Sequence, residues 1–274
     1  MAKLEKEIEK ALDNPHQEKT RSEEDILVDQ LSEGIETYRD KKTSVFLSAL
    51  TAGLEIGFSF LLLGILHNIL KERVSKDVIF YILAFAYPIG FIIIILSKSL
   101  LFTEQTSLLA LPVLHKRRSI GELLKLWGIV ICGNLIGGYI FAFAGGHIGL
   151  ALEIISVDSI GEIAYHVTRP HNLIIFGSSI FAGWLMAVLS WLLSSTKETI
   201  SRIVVIYIIT FTVGFAGFHH SIVGNIEVFA GLIFTSELSV ADYLSFQGIA
   251  LLGNAIGGVV FVAALRYRTI ASNF

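Results

Sequence analysis

The chain has 274 residues, of which 53% are apolar and only 16% charged, and its mean hydropathy is +0.69. That composition lies outside the range of soluble globular domains and requires lipid around the fold. A net charge of −3 with no basic stripe excludes nucleic acid as a partner, and the single cysteine, Cys132, excludes a disulfide framework and a cysteine-based metal site.

Residues 1–42 form a charged segment, with Leu4, Ile8 and Leu12 and then Ile26, Leu27, Leu31 and Ile35 at helical spacing. The plain reading is an amphipathic cytoplasmic helix packed on its neighbours; a gate over the cytoplasmic mouth is the alternative. The stretch is too charged for a signal peptide, so the first apolar run is read as an uncleaved helix. A bilayer core takes roughly 20 apolar residues per helical span. Six stretches reach or approach that length: 43–70, 78–113 with an interruption, 120–145, 172–194, 203–234 with an interruption, and 241–265. They define an all-α membrane protein with one transport domain over 43–268 and a short tail over 269–274. Arg39, Lys41 and Lys42, the HKRR of 115–118, Lys197 with Arg202, and Arg266 with Arg268 then fall on one side, with loop 71–77 as an exception. Both termini are expected in the cytoplasm, in a multi-pass protein of a bacterial-type plasma (inner) membrane.

Within the third and sixth spans lies a repeat. Ser119–Phe141 (SIGELLKLWGIVICGNLIGGYIF) aligns without a gap to Ser239–Phe261 (SVADYLSFQGIALLGNAIGGVVF), with ten of 23 positions identical. The recurring residues are Gly128, Gly133, Asn134, Gly137 and Gly138 against Gly248, Gly253, Asn254, Gly257 and Gly258, a pattern that chance similarity between apolar helices does not produce. One copy starts at a basic loop and the other at an acidic one, so the chain reads as two inverted three-helix repeats with the substrate path between them. The GNxIGG segments are small-xxx-small packing surfaces, with an asparagine able to hydrogen-bond across the contact.

Just before each copy, an apolar run is broken near its middle. The first reads Tyr87-Pro88-Ile89-Gly90 and then Lys98 to Thr106; the second reads Gly214 to Ser221 through His219 and His220. Broken backbone at membrane depth is expected only inside protein or along a cavity. Half-helices restarting at Thr103 and Ser221 would turn free N–H groups and positive dipole ends inward, which suits an anion.

The Leu101-Phe102-Thr103 break, the Gly217-to-Ile222 break and the doubled GNxIGG resemble the formate/nitrite transporter family of formate, nitrite and hydrosulfide channels, across 43–268. The resemblance implies a homopentamer of aquaporin-like protomers, each with its own pore. It also implies a pathway with Leu101, Phe102 and Thr103 from the first break, His220 as the pore histidine, and apolar constrictions at Tyr87, Phe91, Val213 and Met186. The family's outer lysine falls at or near Val167, where Arg169 is the nearest cation; it either draws anions to the outer mouth or is a plain loop charge. Thr103 is expected to cap its half-helix, to contact the pore, or both.

The expected cargo is a small monovalent anion or its conjugate weak acid, together with protons. A bare charge at membrane depth costs several kcal/mol, so a proton arriving through water or His220 would let the neutral acid pass, with His220 and Thr103 orienting it. Glu55, Lys98, Glu104 and Glu227 depart from the formate-channel pattern, as does His219, where the family has an acid. They are read as a charge network bracing the breaks, through a Lys98–Glu104 or a Lys98–Glu227 pair, with substrate contact as the alternative. Gly224 stands where the formate channels carry asparagine, with Asn225 one place later. An aquaporin-like neutral-solute channel is the alternative, but neither break has Asn-Pro-Ala; a membrane assembly subunit without transport is another. No nucleophile–base constellation marks an enzyme, and no cofactor or metal is expected.

Overall fold

The computed structural model describes Lys6 and residues 22–271, and all regular structure among them is helical. Helix α1 (Glu23–Arg39) is followed by α2 (Lys42–Glu55) and α3 (Gly57–Leu70), which form one span interrupted at Ile56, and by α4 (Lys76–Leu83), α5 (Pro88–Ser97) and α6 (Phe102–Leu114). Then come α7 (Ile120–Ala151), α8 (Val157–Thr168), α9 (Asn172–Ser195), α10 (Thr199–Phe215), α11 (Ser221–Phe234) and α12 (Val240–Gly258). A π-helical turn at Val259–Ala264 leads into α13 (Leu265–Ala271). Four stretches, Lys42–Leu70, Lys76–Ser97, Ile120–Ala151 and Asn172–Ser195, are long and apolar enough to cross a bilayer. Their outer faces expose Leu47, Phe58, Ile140, Phe143, Leu173 and Ile174, as a lipid-facing surface would. Leu4, Ile8 and Leu12 lie outside the described residues.

The two closest pairings are α2 along α7 and α9 along α12, and the repeat explains both. A Cβ on Gly137 would stand 2.2 Å from the Leu50 carbonyl oxygen, and one on Gly257 would stand 2.0 Å from that of Ile180. Only glycine lets the backbones approach this closely. Gly128 and Gly248 recur as well, yet neither has a neighbour within 4 Å of where its Cβ would be.

Helices α6 and α11 run through the interior and are buried along nearly their whole lengths. Over α6 lies α1, whose Leu27, Gln30 and Leu31 are fully covered. The Gln30 amide donates to the Ser190 hydroxyl at 3.1 Å, and the Tyr38 hydroxyl donates to the Leu109 carbonyl at 2.9 Å.

Two features differ from the sequence expectation and a third sharpens it. The first span is interrupted by a turn at Ile56, between α2 and α3. The 146–171 connection is structured, because α7 runs on to Ala151 and α8 follows under a Ser156 cap, the Ser159 N–H donating to its hydroxyl at 3.2 Å. The interruption before Pro88 is stapled by Ser59, whose hydroxyl donates to the Tyr87 carbonyl at 2.7 Å and accepts from the Gly90 N–H at 2.9 Å.

Gly137→Ala and Gly257→Ala should each destabilise the purified protein by about 1–3 kcal/mol through overpacking, read as a lower melting temperature in detergent. Gly128→Ala, which faces open space, should leave the melting temperature unchanged or raise it.

Candidate functional site

Both breaks are built the same way. The first opens with Lys98 in the left-handed region at φ 60°, where the Ser99 N–H reaches back to the Ile94 carbonyl at 3.0 Å. At the second, Gly217 takes φ 65° and the Phe218 N–H reaches the Val213 carbonyl at 3.0 Å. This is the helix-ending motif that needs one left-handed residue, and it places Leu101 and His220 at equivalent positions ahead of the restarting helices.

The two repeat asparagines then hold the breaks. Asn134 accepts from the Phe102 N–H at 2.8 Å and donates to the carbonyls of Ala49 (2.7 Å) and Leu100 (2.9 Å). Asn254 accepts from the Ser221 N–H at 2.8 Å and donates to the carbonyls of Ser179 (2.7 Å) and His219 (3.0 Å). Asparagine beside glycine suggested a bond across a packed contact; that it would hold the break itself required knowing which loop folds beside it.

His220 caps its own half-helix, its Nδ1 accepting from the Val223 N–H at 3.3 Å. That bond assigns the ring proton to Nε2, which donates to the Thr103 hydroxyl at 2.7 Å. Thr103 therefore bonds to the histidine instead of capping; α6 has no side-chain cap, and Leu101 precedes it in extended conformation. The Phe91 ring meets His220 edge-on, centroids 5.0 Å apart, and Tyr87 follows at 5.4 Å from Phe91. Val213, Met186 and Leu101 are fully buried, and Phe102 packs edge-on against Trp127 of α7.

A cavity of about 810 Å³ leads to His220 from the side of α8. Its buried end is lined by Tyr87, His219, His220 and Glu227, and its mouth by Lys76, Glu162, His166 and the exposed Arg169. His219 donates from Nε2 to the Val167 carbonyl at 3.0 Å and pairs through Nδ1 with Ser178. Lys76 bridges to Glu162 at 2.9 Å, and the buried His67 lies 3.3 Å from the other oxygen of the same carboxylate. Burial, with Arg169 and His219 adding repulsion, pushes the His166 imidazole down to about 4, and its ring stacks on Phe80 at 3.5 Å.

The charges read as a network are dispersed. Lys98 is exposed, and no ion pair joins it to Glu104 or Glu227 among the described residues. Glu55 accepts from the Ser97 hydroxyl at 2.9 Å near the first break. Glu104 has Glu33 and Arg202 as its charged neighbours, at the α1 side. Glu227 lines the cavity at the opposite side. Asn225 accepts from the Tyr243 hydroxyl at 2.6 Å, away from the cavity, so it does not stand in at Gly224.

A family model described as formate/nitrite transporter matches residues 24–268. The chain belongs to the formate/nitrite transporter family. It is therefore a membrane protein of a family of channels and transporters. The inner membrane protein YfdC of Escherichia coli (strain K12) is 31% identical over 229 residues, covering 82% of this chain and 72% of that one. The formate channel BtFdhC of Bacillus thuringiensis is 27% identical over 216 residues, covering 76% and 81%. Among solved structures, an FNT family ion channel superposes with a TM-score of 0.79 at 21% identity, covering 89% of this chain and 98% of that one. A pentameric formate channel with formate bound gives 0.68 at 21% identity, covering 84% and 98%.

The His166–Phe80 contact should be sensitive to acid. Stacked, His166 stays neutral until about pH 4, whereas released it protonates near its ordinary 6.5. The contact is therefore at full strength above 6.5 and weakens as the pH falls toward 4. Amide hydrogen exchange along α8, corrected for intrinsic rates, should rise over that window, and His166→Phe should remove the rise.

Proposed function

We propose that this family member carries a small monovalent anion, or its conjugate weak acid, along a pore of its own in each protomer of a homopentamer. Six spans form two inverted three-helix repeats around it, with both termini in the cytoplasm. The observation that carries the reading is the Thr103–His220 bond at 2.7 Å, made between two broken helices at the buried end of the cavity. The relatives, a formate channel among them, point to the same cargo class.

Arg169 at the mouth gathers the anion. In the cavity the substrate meets falling dielectric, which favours its neutral form, and it takes a proton before the constriction of Tyr87, Phe91, Val213 and Met186. His220 acts neutral: with Nδ1 accepting from Val223 and Nε2 donating to Thr103, it fixes the direction of the Thr103 hydroxyl, whose own proton is free to meet the passing acid. Leu101 and Phe102 shape the apolar wall beyond.

The test is flux into proteoliposomes of formate, nitrite and hydrosulfide against glycerol. The weak acids should enter with a pH-dependent rate and glycerol should not. His220→Ala and His220→Phe should lower that rate by about 10–100-fold, the effect of losing a buried hydrogen bond worth about 1–3 kcal/mol. Parent-like rates in both variants would remove His220 from the path, and glycerol flux with silent acids would instead favour a neutral-solute channel.

A further inference from the structure

Glu227 is a buried carboxyl that the pathway described above leaves without a role. It stands on α11 only 6% exposed, its side chain lines the cavity two turns beyond His220, and it makes no hydrogen bond or ion pair among the described residues. An ionisable side chain at membrane depth is costly, and those that persist mark proton relays and substrate paths.

No other carboxyl or imidazole around the cavity is placed to exchange a proton with a substrate beside His220. Both nitrogens of His220 are engaged, and so are both nitrogens of His219. On α8, Glu162 is shared by Lys76 and His67, and His166 is stacked on Phe80. Arg169, Asp77 and Tyr165 are exposed at the mouth. The remaining neighbours of α11 face elsewhere. On α7 and α12, the Tyr139 and Tyr243 hydroxyls bond to each other at 2.5 Å, and His147 bonds to the Phe143 carbonyl. On α6, Glu104 lies with Glu33 and Arg202. Tyr87 shares the buried end of the cavity with Glu227, and a phenol is intrinsically a far weaker acid than a carboxyl.

We propose that the Glu227 carboxyl is the group that exchanges a proton with the substrate in this cavity, an inference that rests on the weak-acid transport reading. As the anion reaches the buried end, the carboxyl O–H bond breaks and the substrate's O–H bond forms (S–H for hydrosulfide). This leaves a Glu227 carboxylate and a neutral acid. Hydronium from the α8 side, relayed through the cavity, gives up its O–H proton to the carboxylate and is released as water, so each substrate brings one proton from that side. Export runs the same steps backwards. Glu227 thereby supplies the proton, and His220 keeps the cap and the bond to Thr103.

The experiment uses the full chain in proteoliposomes loaded with a pH-sensitive dye, with formate added outside between about pH 5 and about pH 8. Glu227→Gln should lower proton-coupled formate entry about a hundredfold, the usual contribution of a positioned acid, and should flatten its pH profile. Glu227→Asp should recover part of the rate with a displaced profile. Infrared difference spectra on adding formate should show the parent losing a protonated-carboxyl band that Glu227→Gln lacks. A Glu227→Gln protein with the parent's proton entry and pH profile overturns the inference and leaves the transport reading intact. If that variant fails to assemble, an unchanged rate and profile in Glu227→Asp overturns it equally. A parent chain that moves none of the weak acids removes both.

Discussion

The interior depends on two buried asparagine amides. Each accepts the first N–H of a half-helix and gives both of its own protons to carbonyls, one in the break and one on the helix packed alongside. Every bond such an amide needs is made except one acceptor lone pair. A broken helix at membrane depth cannot leave its backbone groups unpaired, so without these amides the breaks would have no stable form. The adjacent glycines serve the same end. With Gly133 close against Ala49 and Leu50, and Gly253 against Ser179, the backbones of α2 and α9 come near enough for the asparagine to reach their carbonyls. Close packing and the held break are thus one device.

That device changes the electrostatics of the path. Free helix ends aimed inward would draw an anion through their exposed N–H groups, yet the first N–H of each half-helix is already taken by an asparagine. On α11 the Val223 N–H is taken by His220, and on α6 Glu104 sits in the first turn, where a carboxylate offsets the dipole. The pull left for an anion is small at the breaks. Neutralising the substrate before it arrives becomes the cheaper solution, and it makes a carboxyl group in the cavity more useful there than a cation.

The sequence showed the repeat, the two breaks and the glycine contacts, because each is written in residues close together. Asn134 and Asn254 were visible as hydrogen-bonding residues, but their partners lie 32 to 35 positions away at the breaks, and no local pattern names them. Charge was read least well. Lys98, Glu104 and Glu227 invited pairing because they flank the breaks, whereas helix rotation sends the first to the surface and the other two to opposite ends of the interior. Thr103 and His220 changed places in one respect: threonine is the commoner cap, yet here the histidine caps and the threonine is bonded across to it. The turn at Ile56 and helix α8 carried no signal strong enough to separate them from an apolar span and a polar loop.

The chemistry is single where the fold is double. Lys98 and Gly217 end their helices alike, Asn134 and Asn254 bind alike, and the helices restart alike at Phe102 and Ser221. On that shared backbone, Leu101 stands where the other break has His220, and Thr103 stands where it has Ile222. One break therefore presents an imidazole that caps its helix, and the other presents the hydroxyl that the imidazole bonds. Equal breaks would place either two histidines or two threonines at the centre; unequal ones give a donor and an acceptor already satisfied by each other, with one hydroxyl proton left over. A neutral weak acid can accept a hydrogen bond from that hydroxyl at a carbonyl-type oxygen without any group at the centre becoming charged. On the proposed weak-acid reading, this arrangement confines ionisation to the cavity, where Glu227 is, and keeps it out of the constriction, where an uncompensated charge costs most.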